Sequence, residues 1–171
     1  MLQNIDKRFD EKIKELNESL PKLKVGANCA ELTLTSVLEI LGIDSYIFHN
    51  LAIPLAGGFG GYKSKKGWQG ACGAVCGGCS AIGVIMGGHE RMDKKTMFIS
   101  YLKAAKFANE FEKEFNTVVC SELCGYDFSK PEGMKEYQKN KIWAKNCCHY
   151  VVWAIDKVRK LTRKDLKNKW E

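Results

Sequence analysis

The run from Gly70 to Gly88, GACGAVCGGCSAIGVIMGG, constrains this chain more than any other segment. It is uncharged, built almost wholly from glycine, alanine, serine and small aliphatics, and carries Cys72, Cys76 and Cys79. Its length and small residues predict a helix, and the spacing i, i+4, i+7 then stacks the three thiols on one face. Three aligned thiols point to a metal or redox site. Abundant glycine lowers helix propensity and lets another backbone or an inorganic cluster approach closely, which pure packing would not ask for.

The same run is apolar for long enough to raise a membrane span. Its glycines, cysteines and serine, and the lack of an arginine or aromatic belt, predict a buried helix instead, so no membrane partner is expected. The 171 residues suit one domain with a proper core. Eight cysteines, Cys29, Cys72, Cys76, Cys79, Cys120, Cys124, Cys147 and Cys148, are too sparse for a small disulfide scaffold. The opening MLQNIDKRFDEK is charged at once and has no apolar leader, so a cytoplasmic, reducing location is expected. There cysteines serve as metal ligands or reactive thiols rather than disulfides. The net charge of +7 invites a nucleic-acid reading. The lysines, however, are mixed with acids, as in Lys103 to Glu114, and only Lys157 to Lys169 is a concentrated basic stretch. A solvated helix face accounts for it, and no nucleic-acid partner is expected. The partners expected are a redox protein and, as an option, a second copy of the chain in a homodimer.

Periodicity along the chain is helical. Leu2, Ile5, Phe9, Ile13, Leu16 and Leu20 recur at threes and fours in an amphipathic first helix within residues 1–22, which Pro21 ends. Asn28 and Glu31 read as a capping box opening a helix to Gly42. Cys29 then lies in the first turn, where the dipole and free amides favour a thiolate. Asp44 is expected to start a further helix that Pro54 kinks, followed by a loop at Gly57 to Gly61 and the basic YKSKKGWQG. Asp93 caps a long helix through Phe115, and Cys120 and Cys124 form an i, i+4 pair. YDFSKPEGM reads as a loop whose Pro131 starts another helix. A helix from Trp143 to Val158 carries Cys147 and Cys148, and Thr162 caps a short basic tail within 159–171. Without an alternating strand or a repeat, the expected fold is all-α: one domain over residues 1–171, a helical bundle around a cysteine-rich pocket.

NCAE at Asn28 to Glu31, the GGFGG loop, CGAVCG at Cys72 to Gly77 followed by IGVIMG, CSEL at Cys120 to Leu123, and a late cysteine on an aliphatic helix occur in one order. In that order and spacing the chain resembles the redox-active family named for its CGAxxG motif. It also resembles the domain of split-Soret cytochrome c, which adds haems and carries an iron–sulfur centre. The resemblance implies a helical fold with four shared cysteines, matching Cys29, Cys72, Cys120 and Cys147, with Cys148 the alternative to Cys147. Cys76, Cys79 and Cys124 are additional. No CxxCH occurs, since Cys147-Cys148-His149 lacks the spacer, so covalent haem is not implied.

Thiolates converging from several helices make a soft pocket that selects iron–sulfur clusters, zinc or copper(I) over hard cations. The candidate metal ligands are Cys29, Cys72, Cys76, Cys79, Cys120 and Cys147. Cys124 and Cys148 join them as cofactor-lining candidates, each balanced against ordinary buried cysteine. An iron–sulfur cluster serving electron transfer or redox sensing is the leading expectation. Zinc is the alternative cofactor, because a closed zinc site usually draws on CxxC knuckles and only Cys76-Gly77-Gly78-Cys79 offers one. Two rival functions stand beside it: a thiol/disulfide oxidoreductase using Cys76 and Cys79, and a zinc-stabilised interaction module. The Cys72, Cys76, Cys79 spacing equals that of radical-SAM clusters, but that fold needs a parallel β/α barrel. His49, His89 and His149 read as structural, and Trp68 as a lid or a packing residue.

Overall fold

A computed structural model describes residues 4–23 and 28–171; Leu2 of the first apolar stripe lies outside them. The described residues are all-α, with eight α-helices and no strand.

The glycine-rich run forms α4 (Gly73–Gly87). A helix apolar on every side must be surrounded, and α4 packs against α2 (Cys29–Leu41), α5 (Lys94–Phe115) and α8 (Cys148–Trp170). Ala74, Ala81, Ile82 and Ile85 have no exposed surface. The glycines do let another backbone approach, as expected, but they serve helix packing, which was not expected. A Cβ at Gly77 would stand 2.4 Å from the Ala30 carbonyl oxygen, one at Gly73 2.4 Å from Cys29 Sγ, and one at Gly78 2.4 Å from the Phe107 ring. Gly73 and Gly77, one turn apart, thus let α2 close on α4, while Gly78 makes room for an aromatic ring of α5. Cys72 is the N-cap of α4 with extended backbone, so the three thiols do not form one helical stripe. At 15 residues α4 is too short to span a bilayer, and among the described residues no helix is long and apolar enough to do so.

The first helix is α1 (Ile5–Ser19), capped by Asn4, with Ile5, Phe9, Leu16 and Leu20 buried against α8 and α2. Pro21 lies in a 3₁₀ turn that ends it. Arg159 of α8 reaches across with Nη1 2.5 Å from Asp10 and 3.3 Å from the Asp6 carbonyl, fixing α1 on α8. Asn28 caps α2, its Oδ1 accepting from the amides of Ala30 and Glu31. Glu31 does not complete a capping box, because its carboxylate sits 2.9 Å from His49 Nδ1. His49 is therefore a structural histidine.

Three expected boundaries move. Helix α3 (Tyr46–Pro54) is capped by Ser45, whose hydroxyl accepts from the Ile47 amide, rather than by Asp44. Pro54 is its last residue and leads into a π-helical turn, Leu55–Gly60, where a loop was expected. Asp93 does cap α5, and Pro131 opens α7 (Pro131–Lys139), following α6 (Cys120–Cys124). Trp143–Cys147 is π-helical and runs directly into α8. Thr162 is no cap. It is fully buried inside α8, with its hydroxyl donating to the Val158 carbonyl.

The basic tail is the last part of α8, and it is packed. Leu166 is buried, the Trp170 indole donates to the Ile85 carbonyl at 3.0 Å, and the Lys169 ammonium donates to the Met86 carbonyl. Those carbonyls belong to the last turn of α4, whose acceptors have no intrahelical partner and whose dipole end favours a cation.

Candidate functional site

The thiols are brought together by main-chain pairing before α4 and α6. The Cys72 amide donates to the Val118 carbonyl at 2.7 Å and the Cys120 amide to the Gly70 carbonyl at 3.1 Å, flanking an antiparallel bridge between Ala71 and Val119. This sets Cys72 at the head of α4 beside Cys120 at the head of α6. Gly70 is required there, since a Cβ would fall 1.7 Å from the Phe59 carbonyl oxygen. The first turn of α2 brings Cys29 to the same place, within hydrogen-bonding reach of Cys72. The Trp143 indole, donating to the Leu20 carbonyl at 2.8 Å, anchors the π-helical segment that presents Cys147.

Cys124, one turn after Cys120, lies 3.8 Å from Cys147, sulfur to sulfur, and also hydrogen-bonds Cys120. One buried thiol thus stands between two others. Hydrogen-bonded to Cys124, whose single S–H serves one of them at a time, Cys120 and Cys147 are both held below the ordinary thiol range, while the acidity of Cys124 itself is strongly suppressed. The Tyr137 hydroxyl adds a 3.4 Å hydrogen bond to Cys147. Cys72 is pushed well up because it donates to Cys29 and is buried. The chamber is therefore a set of thiolate-prone sulfurs beside proton-holding ones. Tyr150 closes one wall, its hydroxyl donating to the Leu123 carbonyl at 3.4 Å, and burial pushes it up to about 12.

Five sequence candidates thus meet: Cys29, Cys72, Cys120, Cys124 and Cys147. Cys76 stands at their edge, feeling the charges of Cys29 and Cys120, with its thiol toward the Ala71 carbonyl. Cys79 neighbours Cys76 rather than the chamber. Cys148 donates back to the Ala144 carbonyl at 3.2 Å and lies in the core. Cys124 is more central than its place among the lining candidates implied; its signal was the i, i+4 spacing from Cys120. All eight cysteines are free thiols. Among the described residues no three Cys, His, Asp or Glu side chains close on one point tightly enough to hold a metal ion as they stand. Trp68 is exposed and stacks in a group with Phe59 and Tyr62 rather than lidding the thiols. His89 packs against Trp170, ring centroids 4.8 Å apart.

Burial pushes Cys76 up to about 12 and Cys79 to about 11, against an ordinary thiol value of 9.0. In the unfolded chain both ionise near pH 9 and in the fold two to three pH units later, so above pH 9 unfolding releases protons. Their neutral thiols stabilise the fold fully below that pH, and the contribution fades as pH rises toward 11 and 12. The urea midpoint of the native chain should therefore fall more steeply above pH 9 than that of Cys76→Ala/Cys79→Ala. Parallel curves would show that the two thiols are not shielded as placed.

No curated protein and no solved structure is significantly similar to the chain. A family model described as "Putative redox-active protein (C_GCAxxG_C_C)" matches residues 27–161. The description names four cysteines, one inside GCAxxG. Set in register on Ala74 and Gly77, this chain has Cys72 and Gly73 in the reverse order. The geometry accommodates the exchange: position 73 faces Cys29 Sγ directly, and Cys72 reaches the same sulfur from one residue earlier. With more than three quarters of its length matched, the chain belongs to this family of redox-active proteins.

Proposed function

We propose that the thiol chamber holds an iron–sulfur cluster and that the chain carries or senses electrons through it. The observation that carries this reading is the convergence of five buried or half-buried sulfurs from α2, the head of α4, α6 and the π-helical segment. Oxygen and nitrogen ligands are not among them, and such a donor set fits a soft, sulfur-rich group. Cys29, Cys72, Cys120 and Cys147 would hold it, with Cys124 as a fifth candidate. A cluster spreads its ligands over several irons, which suits donors arranged as a pair, Cys29 with Cys72, and a trio, Cys120, Cys124 and Cys147. Zinc needs three or four donors around one point and is the lesser reading. The cluster would supply one-electron chemistry. The protein's own groups set its conditions: ligation displaces the protons that Cys72 and Cys124 hold, Tyr137 keeps a hydrogen-bond donor on the Cys147 sulfur, and the aromatic wall excludes water. A reducing, cytoplasmic setting suits eight free thiols.

A second reading rests on the 3.8 Å Cys124–Cys147 contact. Two thiols so placed need only about 2 Å of approach to form a disulfide, giving two electrons and two protons to an acceptor. This moves the dithiol alternative away from Cys76 and Cys79, whose thiols are too weakly acidic to attack at neutral pH. An absorption spectrum with iron and sulfide analysis of anaerobically purified protein separates these readings. A brown protein with charge-transfer bands is expected. A colourless, metal-free protein with a reversible disulfide would support the dithiol, and a colourless zinc protein the interaction module.

If the chamber is loaded, metal and fold are linked, because ligands from residue 29 to residue 147 tie distant segments together. Chelation under reducing conditions should lower the melting temperature by several degrees, read by circular dichroism. An unchanged melting curve after verified metal loss would mean that the cysteines serve the core alone.

A further inference from the structure

The segment between Tyr62 and Gly70, YKSKKGWQG, has three lysines and no acid. It folds as a tight hairpin: Lys63 bridges Gln69, the Ser64 amide donates to the Trp68 carbonyl at 2.7 Å, and the Gly70 amide donates to the Tyr62 carbonyl at 2.9 Å. The turn needs Gly67, whose φ is +92°. Ser64 Oγ accepts from the amides of Lys66 and Trp68. The tip is thus fixed by its own backbone. Its aromatics are nevertheless turned outward: Phe59, Tyr62 and Trp68 are 42%, 52% and 47% exposed, with Trp68 5.3 Å from Phe59 and 5.5 Å from Tyr62. A contiguous exposed aromatic group of this kind is characteristic of binding surfaces. Lys63 faces Asp127, while among the described residues Lys65 and Lys66 are exposed with no acidic partner.

The base of the hairpin is the wall of the thiol chamber. Gly70 accepts the Cys120 amide, Ala71 bridges Val119, and Gln69 accepts from the Ser121 hydroxyl at 2.5 Å. The chain from the aromatic tip to Cys72 is therefore continuous and hydrogen-bonded directly to the segment carrying Cys120. An exposed apolar patch beside two uncompensated lysines, on a hairpin that leads directly into Cys72 and the Cys120 segment, fits one kind of occupant. We propose that the Phe59, Tyr62, Trp68 patch, with Lys65 and Lys66, docks a small acidic electron-transfer protein. The proposal rests on the redox reading of the chamber. Charge would steer the encounter and the aromatics would supply the dry contact.

The test is calorimetric titration of the full chain with a small acidic [2Fe–2S] ferredoxin as probe, in about 20 mM and about 300 mM salt, where screening is weak and strong respectively. A basic cytochrome c and a short single-stranded oligonucleotide serve as controls. Binding to the ferredoxin, weakening with salt, is expected. K65E/K66E should weaken it roughly tenfold or more at low salt, with K65Q/K66Q between, and W68A should weaken it at both salts. The thermal melts of these surface variants should match the native one. The proposal is overturned if the ferredoxin does not bind, if the lysine variants bind it as the native chain does, or if only the oligonucleotide or the cytochrome binds. Iron per chain, measured on the same samples, tests the chamber separately. Iron present with docking unchanged in the variants removes the docking surface alone; docking to an iron-free native chain removes the cluster alone.

Discussion

Replacing Cys124 by serine should cost the chain most of its bound iron, whereas replacing Cys148 should not. Both residues are buried cysteines with i, i+4 relations on a helix, and they differ in where the sulfur points. Cys124 stands between Cys120 and Cys147, and Cys148 hydrogen-bonds the Ala144 carbonyl. A serine at 124 would put a hard, poorly ionised oxygen in the middle of the soft donor set. The hydroxyl can still donate a hydrogen bond to one neighbouring sulfur, so what the variant removes is the sulfur donor itself. Losing a group that orients ligands commonly costs 10 to 100-fold in metal affinity, and losing a ligand costs at least as much. Iron per chain for C124S should thus fall several-fold below both the native protein and C148S, with the charge-transfer bands falling in proportion. Equal iron in C124S and C148S would reduce Cys124 to a packing residue. The sulfurs of Cys29, Cys72, Cys120 and Cys147 would then stand as the full ligand set.

Gly77→Ala should be strongly destabilising, because it drives a methyl group into the backbone of α2. The new Cβ would lie 2.4 Å from the Ala30 carbonyl oxygen and 2.9 Å from Thr33 Cβ. Neither can give way without prising α2 from α4, and α2 carries Cys29. Overpacking of this kind costs about 1–3 kcal/mol, and a clash with backbone belongs at the upper end. For a domain of this size that is a fall of roughly 5–10 °C in melting temperature, after allowing for alanine's better helix propensity. Gly83 lies on the same helix with nothing within 4 Å of its Cβ direction. Gly83→Ala should therefore stabilise by about 0.5–1 kcal/mol. Thermal melts of the pair decide it: a melting temperature for Gly77→Ala at or above the native value would contradict the close packing of α2 on α4.

These two experiments touch what the sequence made legible and what it hid. Local chemistry was readable where one residue decides it: Asn28 and Asp93 cap their helices, Pro131 opens α7, and most of the Gly70 to Gly88 run, from Gly73 to Gly87, is a central helix. Of the cysteines that converge, Cys29, Cys72, Cys120 and Cys147 were expected from the family resemblance, and Cys124 stood beside them through its i, i+4 spacing from Cys120. Partnership across the fold was not. Glu31 looked like the second half of a capping box and bonds His49 instead. Thr162 looked like a cap, yet threonine inside a helix satisfies its hydroxyl on the carbonyl four residues back and can then be buried. Asp44 and Ser45 are both good caps, and only the backbone's extended turn at Ser45 chooses between them. The basic tail read as solvated, since nothing in Lys169 or Trp170 announces that their partners are the Ile85 and Met86 carbonyls.

The π-helical segment Trp143–Cys147 acts as a phase shifter. Where an α-helix advances 100° per residue, one extra residue in a turn delays everything upstream relative to everything downstream. Downstream, Val151, Ala154, Ile155 and Val158 keep a regular buried stripe against α4. Upstream, Trp143 is turned to reach the Leu20 carbonyl while Cys147 meets Cys124. The stripe, the indole anchor and the sulfur contact are thus all met by one continuous helical run. Two adjacent cysteines acquire opposite duties, Cys147 meeting its fellow thiols and Cys148 bonding the Ala144 carbonyl. The 100° between neighbouring helical residues divides them, with no difference in side-chain chemistry.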